Sequence, residues 1–309
     1  MTFTRVLTRA LLVGATSLTV GLSGAAVATA GGVDPIHHTF TPATQKAIES
    51  SKSRCPERVI IVARGTAQND PADLKPTKYS PNSPYTSNGY EAPNVRLLLQ
   101  QAEARHKART GQSLLENTLV LGVDSHYYQA EPSLPTVSDE PDVEEIITLL
   151  KDNPPHQLAG NAVGGMALSI LRGIPGAYHF IQDYEKATGC SPQYILIGYS
   201  QGAIVLAPQE IWLAQRKQLD GVLYMGNPMQ PLPQHSAFPT GTHKRLNYCV
   251  KDDVFCDPSP QAVARAISED GGPHAGYFID KNPGDAHVLD TLATYIDDGG
   301  DYARQTPPQ

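Results

Sequence analysis

Apolar residues fall in short unbroken runs along this chain, and between them lie segments that read as helices. "CPERVIIVARGT" (55–66) has a β-branched centre, Val59 to Val62, and stops at Arg64-Gly65. This is the pattern of a buried strand that runs into a loop. "TLVLGVD" (118–124), "QYILIG" (193–198), "GVLYMGNP" (221–228) and "RLNYCV" (245–250) repeat it. Between these runs, "NVRLLLQQAEARHKA" (94–108) is helical by propensity, and "AIVLAPQEIWLAQRKQL" (203–219) reads as a helix after the third strand. "AVGGMALSILRGIPGAYHFIQDYEKATG" (162–189) gives one or two helices, with an interruption expected near Gly173 to Gly176 at Pro175. "TLATYIDD" suggests a terminal helix, and "QTPPQ" a frayed tail. Strands that alternate with helices imply a mostly parallel central sheet with helices on both faces.

Two segments break this rhythm. Residues 67–93 are rich in Pro, Asn, Ser and Tyr, and have no periodicity. They form a long surface excursion, of a length that is uncommon unless functional or mobile. Residues 131–155 are Pro-rich and acidic, with a short amphipathic piece, "DVEEIITLLKD". Both read as insertions into a single domain over 31–309, since no internal repeat or domain linker is evident.

Residues 1–30 stand apart from that domain. Arg5 and Arg9 precede an apolar run broken by Gly, Ser and Thr, and Ala28-Thr29-Ala30 follows. This is the layout of a secretory signal peptide, cut after Ala30. No later segment is long and apolar enough to span a bilayer, so an exported protein without stable membrane insertion is expected. At 309 residues, 40% hydrophobic and 18% charged, the chain can bury a substantial core. A formal net charge of -7 without a basic cluster argues against nucleic acid as a partner. Four cysteines in an exported chain imply two disulfides, with three connectivities open. Zinc is disfavoured by spacing, since neither C-x-x-C nor H-E-x-x-H occurs.

Chemistry enters at "YILIGYSQGAIVLAPQ" (194–209), where Ser200 lies between Gly198 and Gly202 as a strand gives way to a helix. G-x-S-x-G at such a junction is the pattern of a nucleophile elbow; a Gly/Ser turn that merely ends a strand is the alternative. A serine hydroxyl needs a base, and the base an orienting acid. In the elbow-bearing hydrolases these follow the nucleophile as acid and then histidine. "KDDVFCDPS" and "GGPHAGY" supply Asp253 and His274, with Asp252 and His287 as rivals.

Taken together, "CPERVIIVARGT", "CSPQYILIGYSQGA", "CVKDDVFC" and "GPHAGY" resemble the cutinase family of secreted serine esterases, over about Cys55 to Tyr277. The resemblance implies an α/β-hydrolase fold and Ser200, Asp253 and His274 as a catalytic triad. It implies an oxyanion hole at Thr66 and the amide of Gln201, and disulfides Cys55–Cys190 and Cys249–Cys256. A monomer acting on lipid, polyester or acylated-carbohydrate esters follows, with no metal or organic cofactor. Acetylxylan-type deacetylation and hydrolysis of mycolyl-type envelope esters are rival activities. A catalytically silent wall-binding protein is the rival outside enzymes. The two insertions lengthen the chain beyond a minimal cutinase, and they put open access to bulky polymers in doubt.

Overall fold

The computed structural model describes residues 39–130, 155–231, 244–262, 265 and 272–297. The expected signal peptide, nearly all of the 131–155 insertion with its helical piece, and the tail lie outside these residues. The described chain runs α1 (Pro42–Ser53), β1 (Arg58–Ala63), α2 (Ala92–Thr110), β2 (Thr118–Gly122), α3 (Pro155–Thr188), β3 (Gln193–Tyr199), α4 (Gln201–Gln215), β4 (Leu219–Met225), β5 (Arg245–Tyr248) and α5 (Asp285–Ile296). A 3₁₀ turn, Gly272–Gly276, precedes α5. Among the described residues, no helix is long and apolar enough to cross a membrane.

The five strands form one sheet in the order β2-β1-β3-β4-β5. Every neighbouring pair is parallel. Such a sheet has to be covered on both faces, and the strand sequences show how. Val59, Ile61 and Ala63 join Leu119, Leu121, Tyr194 and Leu196 under α1, α3 and α4. Ile60 and Val62 join Val120, Ile195 and Ile197 under α2 and α5. The unbroken apolar run of β1 is therefore two alternating faces, each with its own helix layer. This is a doubly wound α/β fold, as the alternation of elements predicts.

The strand order places the functional crevice. From β1 the chain winds outward to β2, then returns across to β3 and continues to β4 and β5. The winding reverses between β1 and β3, and loops after the carboxyl ends of those strands diverge there to leave a crevice. Ala63 is opposite Gly198 in that pair, so the loops carrying Thr66 and Ser200 leave the sheet side by side.

Three local outcomes differ from the sequence pattern or refine it. The first helix, α1, is not among the elements that the apolar pattern predicts. Its buried stripe is Thr44, Ala47, Ile48 and Ser51, a helical spacing in which half of the positions are polar. Next, α3 is continuous through Pro175, so the expected interruption does not occur. The glycines there serve packing: a Cβ on Gly176 would lie 1.8 Å from the carbonyl oxygen of Tyr127. Lastly, the 67–93 excursion has no regular element until α2 begins, yet it is firmly packed. Asn88 donates to the carbonyl of Gly122 at 2.7 Å and accepts from its amide at 2.9 Å, which covers backbone at the end of the edge strand β2. Buried Glu91 accepts from Ser87 Oγ at 2.6 Å and from the Tyr79 hydroxyl at 2.8 Å, holding the middle of the excursion against its end.

All four cysteines are paired, Cys55 with Cys190 and Cys249 with Cys256, as the resemblance implies. The first bridge ties the entrance of β1 to that of β3, across 135 residues of chain. By loop-closure entropy it contributes about 5 kcal/mol, against about 2.5 kcal/mol for the short Cys249–Cys256 loop. Urea unfolding of the two paired Cys→Ser variants is expected to rank them in that order, with the Cys55/Cys190 variant less stable. The reverse order would show that the short bridge carries native-state contacts worth more than its loop entropy.

Candidate active site

The site begins with a forced backbone. Between the last residue of β3 and the first of α4 there is only Ser200, whose φ of 55° and ψ of -126° lie where side-chain-bearing residues rarely sit. Such a conformation costs on the order of 1–3 kcal/mol and persists only where its surroundings impose it. Here the glycines on either side let them do so. A Cβ on Gly202 would lie 2.0 Å from the carbonyl oxygen of Ala63, and one on Gly198 would lie 2.6 Å from the Cα of Ala203. Strand, turn and helix thus close on each other, and the Ser200 amide donates to the Met225 carbonyl at 2.9 Å. The junction is an elbow rather than a simple strand-ending turn.

Two distant loops meet this serine. Ser200 Oγ lies 2.9 Å from His274 Nε2. On the other side of the ring, His274 Nδ1 lies 2.9 and 2.8 Å from the two carboxylate oxygens of Asp253. Asp253 stands in the loop after β5, closed by the Cys249–Cys256 bridge, and is fully buried. Both cysteine sulfurs lie near its carboxylate, but they are bonded to each other and offer no thiolate to a metal. Burial works against the charge on Asp253. Hydrogen bonding to His274 and its charge, the Tyr277 hydroxyl and the Phe255 amide outweigh it, and they hold the carboxyl below its usual range. The rivals sit elsewhere: Asp252 pairs with Arg265 at 3.1 Å, and His287 is exposed within α5.

The imidazole is also held from the sides. Tyr199 stacks on it with centroids 5.3 Å apart, and Phe255 lies against it at 4.2 Å. The Tyr199 hydroxyl donates to the backbone carbonyl of His274. Burial, with the Asp253 charge behind it, pushes the Tyr199 phenol up, so it remains a donor.

Across the crevice, Thr66 and Gln201 come together. The Gln201 side-chain amide donates to Thr66 Oγ1 at 2.6 Å, which leaves the threonine's own proton for another acceptor. The backbone N–H of Gln201 opens α4 and has no acceptor within its helix. Thr66 is steadied by Arg64, whose guanidinium is fully buried and donates to the carbonyls of Val123, Tyr128 and Gln129 and to Asn69 Oδ1. The loop after β1 is thereby pinned to the loop after β2.

Every residue expected at the site therefore lies in one crevice, and neither rival joins it. Tyr199, Arg64 and the hydroxyl of Tyr277 join the site although the sequence motifs do not point to them. An arginine directly after a buried strand is a readable signal, because such a charge needs several acceptors. Nothing in the sequence says where the hydroxyl of Tyr277 goes. Chemically, the site offers a hydroxyl beside an imidazole backed by a buried carboxylate, with Gln201 next to the hydroxyl in the chain and Thr66 bonded to the Gln201 side chain.

No family model matches the chain, and no curated protein matches it. Among solved structures, it is similar to an acetyl xylan esterase, at 13% identity and a TM-score of 0.42, over 78% of this chain and 99% of that one. It is also similar to a cutinase-like protein from Cryptococcus sp., at 17% identity and a TM-score of 0.40, over 80% and 98% of the two chains. A third is a Trichoderma reesei cutinase in complex with a phosphonate inhibitor, at 18% identity and a TM-score of 0.38, over 85% and 93%.

Proposed function

We propose that this chain is a secreted serine esterase that hydrolyses carboxylic esters through an acyl-enzyme. One observation carries the proposal: the hydrogen-bonded series Ser200, His274, buried Asp253, set on an elbow at the reversal point of the sheet. Ser200 Oγ attacks the ester carbonyl carbon as its proton passes to His274 Nε2. Negative charge develops on the carbonyl oxygen, where the amide of Gln201 and the Thr66 hydroxyl and amide are the donors that receive it. The carbon–oxygen bond to the alcohol then breaks, and the alcohol leaves with the proton from Nε2. Water repeats the sequence on the acyl-serine, releasing the acid and restoring the hydroxyl. Asp253 holds Nδ1–H, which keeps Nε2 free to accept and stabilises the imidazolium when it forms. Export is supported by the paired cysteines and the amino-terminal pattern.

An organophosphate such as diisopropyl fluorophosphate is expected to label Ser200 alone, by peptide mapping, and to abolish hydrolysis of p-nitrophenyl esters. A panel from acetate to palmitate, with acetylated xylan alongside, then separates a deacetylase from a long-chain esterase. A folded chain that is neither labelled nor active on any ester would be the silent wall-binding protein.

A further inference from the structure

We propose that Tyr277 is a positioning residue for this reaction, its hydroxyl fixing the Asp253 carboxylate that in turn orients His274. The proposal rests on the serine esterase reading above. A buried tyrosine ordinarily finds some partner for its hydroxyl, so the choice of partner and the direction of the bond carry the argument. The Tyr277 hydroxyl lies 2.7 Å from Asp253 Oδ2, the same oxygen that lies 2.8 Å from His274 Nδ1. The Val250 amide donates to the Tyr277 oxygen at 3.0 Å. With that donor on the phenolic oxygen, the hydroxyl proton is directed at the carboxylate. Phe255 N–H donates to Oδ1 at 3.0 Å, so each carboxylate oxygen has a fixed donor besides the imidazole. Rotation of the carboxylate about its bond would break one or both.

His274 and Tyr277 leave a single short turn, so the imidazole and the phenol reach the carboxylate from one piece of backbone. Tyr277 is itself fully buried against Tyr199 and Tyr248. Burial and the nearby Asp253 charge keep its phenol protonated. The other titratable groups around Asp253 are Lys251, Asp252 and Asp257 on its own loop, and Tyr199 at the end of β3. Asp252 is turned to Arg265. Only Tyr277 and His274 donate to the carboxylate from outside its loop among the described residues.

The test compares wild type, Tyr277→Phe and 3-fluorotyrosine incorporated at position 277. A hydrogen bond to a charged group is replaced by nothing in Tyr277→Phe, so kcat is expected to fall about 10- to 100-fold with KM within about twofold. The acid limb of kcat/KM should move to higher pH, because the His274–Asp253 pair takes up its proton more readily once a donor to the carboxylate is gone. The aspartate carboxyl ¹³C resonance of Asp253 should likewise titrate at higher pH, a readout that needs no substrate. Fluorotyrosine is the stronger donor and should move both in the opposite direction. A purely structural tyrosine predicts a lower Tm for Tyr277→Phe, with kcat, the acid limb and the Asp253 resonance unmoved, and that result would overturn the proposal. Should Tyr277→Phe fail to fold, fluorotyrosine decides alone, and no displacement of the Asp253 titration would overturn it. If wild type hydrolyses no ester while the Asp253 titration still shifts, the esterase reading fails and the hold on the carboxylate stands.

Discussion

Ser200→Ala is expected to lower kcat for ester hydrolysis by about 10⁶-fold, and His274→Ala by nearly as much, because neither the hydroxyl nor its base works without the other. Their double variant should be no worse than either single one, which is the signature of two groups acting in one step. The loss should leave KM little changed, since neither residue is needed to seat the ester. Activity should stay above the uncatalysed rate by about 10³- to 10⁴-fold, from the donors at Thr66 and Gln201 and from binding. His287→Ala provides the control: that imidazole is exposed on α5, so its removal should leave kcat within about twofold. Burst and steady-state kinetics on a p-nitrophenyl ester, with circular dichroism to check folding, measure all four. A folded Ser200→Ala variant that kept most of its activity would sink the esterase reading. An inactive His287→Ala would shift the base to α5.

Much of this site is legible in the sequence because its chemistry constrains the backbone as well as the side chains. The two glycines around Ser200 are needed at those positions, since their Cβ atoms would collide with Ala63 and Ala203. A spacing rule can therefore find them. The same holds for Asp253, which lies inside a loop that two cysteines close. Strand β1 is readable because both of its faces are buried, leaving no polar position to interrupt Val59 to Val62. By contrast, α1 is obscured because Thr44 and Ser51 occupy its inner face as readily as Ala47 and Ile48 do. Pro175 misleads for a related reason: local propensity counts the lost N–H, whereas tertiary contacts to Tyr127 and α4 hold the helix together around it. The order of the strands is not a local property at all. Nothing within β1 shows that β2 and β3 will flank it, so the reversal point that hosts the site emerges only when the sheet is assembled. The hydrogen bonds of Tyr277 and Arg64 share this character, because each joins loops far apart in the chain.

Asp253→Asn should cost about 10⁴-fold in kcat while leaving the site's geometry nearly intact. An amide is the size of the carboxylate but has a single acceptor oxygen, so of the two donors, Tyr277 O–H and Phe255 N–H, one keeps its bond and the side chain stays in place. What changes is the proton on the ring. The carboxylate only accepts and so requires the hydrogen on Nδ1, which leaves Nε2 bare toward Ser200 Oγ. An amide can donate to Nδ1 instead; the hydrogen then sits on Nε2, where it cannot accept the serine proton. The charge that stabilises the imidazolium is lost as well. Asp252→Asn, at the immediately preceding residue but facing Arg265, should change kcat by less than about threefold. The same pair also predicts a stability difference with a definite sign. The folded-state value of Asp253 is depressed, so its contribution is present above the unfolded value of about 3.9 and is lost as pH falls through the folded value. The stability gap between wild type and Asp253→Asn should therefore be constant near neutrality and shrink on acidification below about pH 4. Urea midpoints measured across that range check this. A gap that widened toward low pH would mean the carboxyl is not held in its charged form, and that would remove the electrostatic half of its role beside His274.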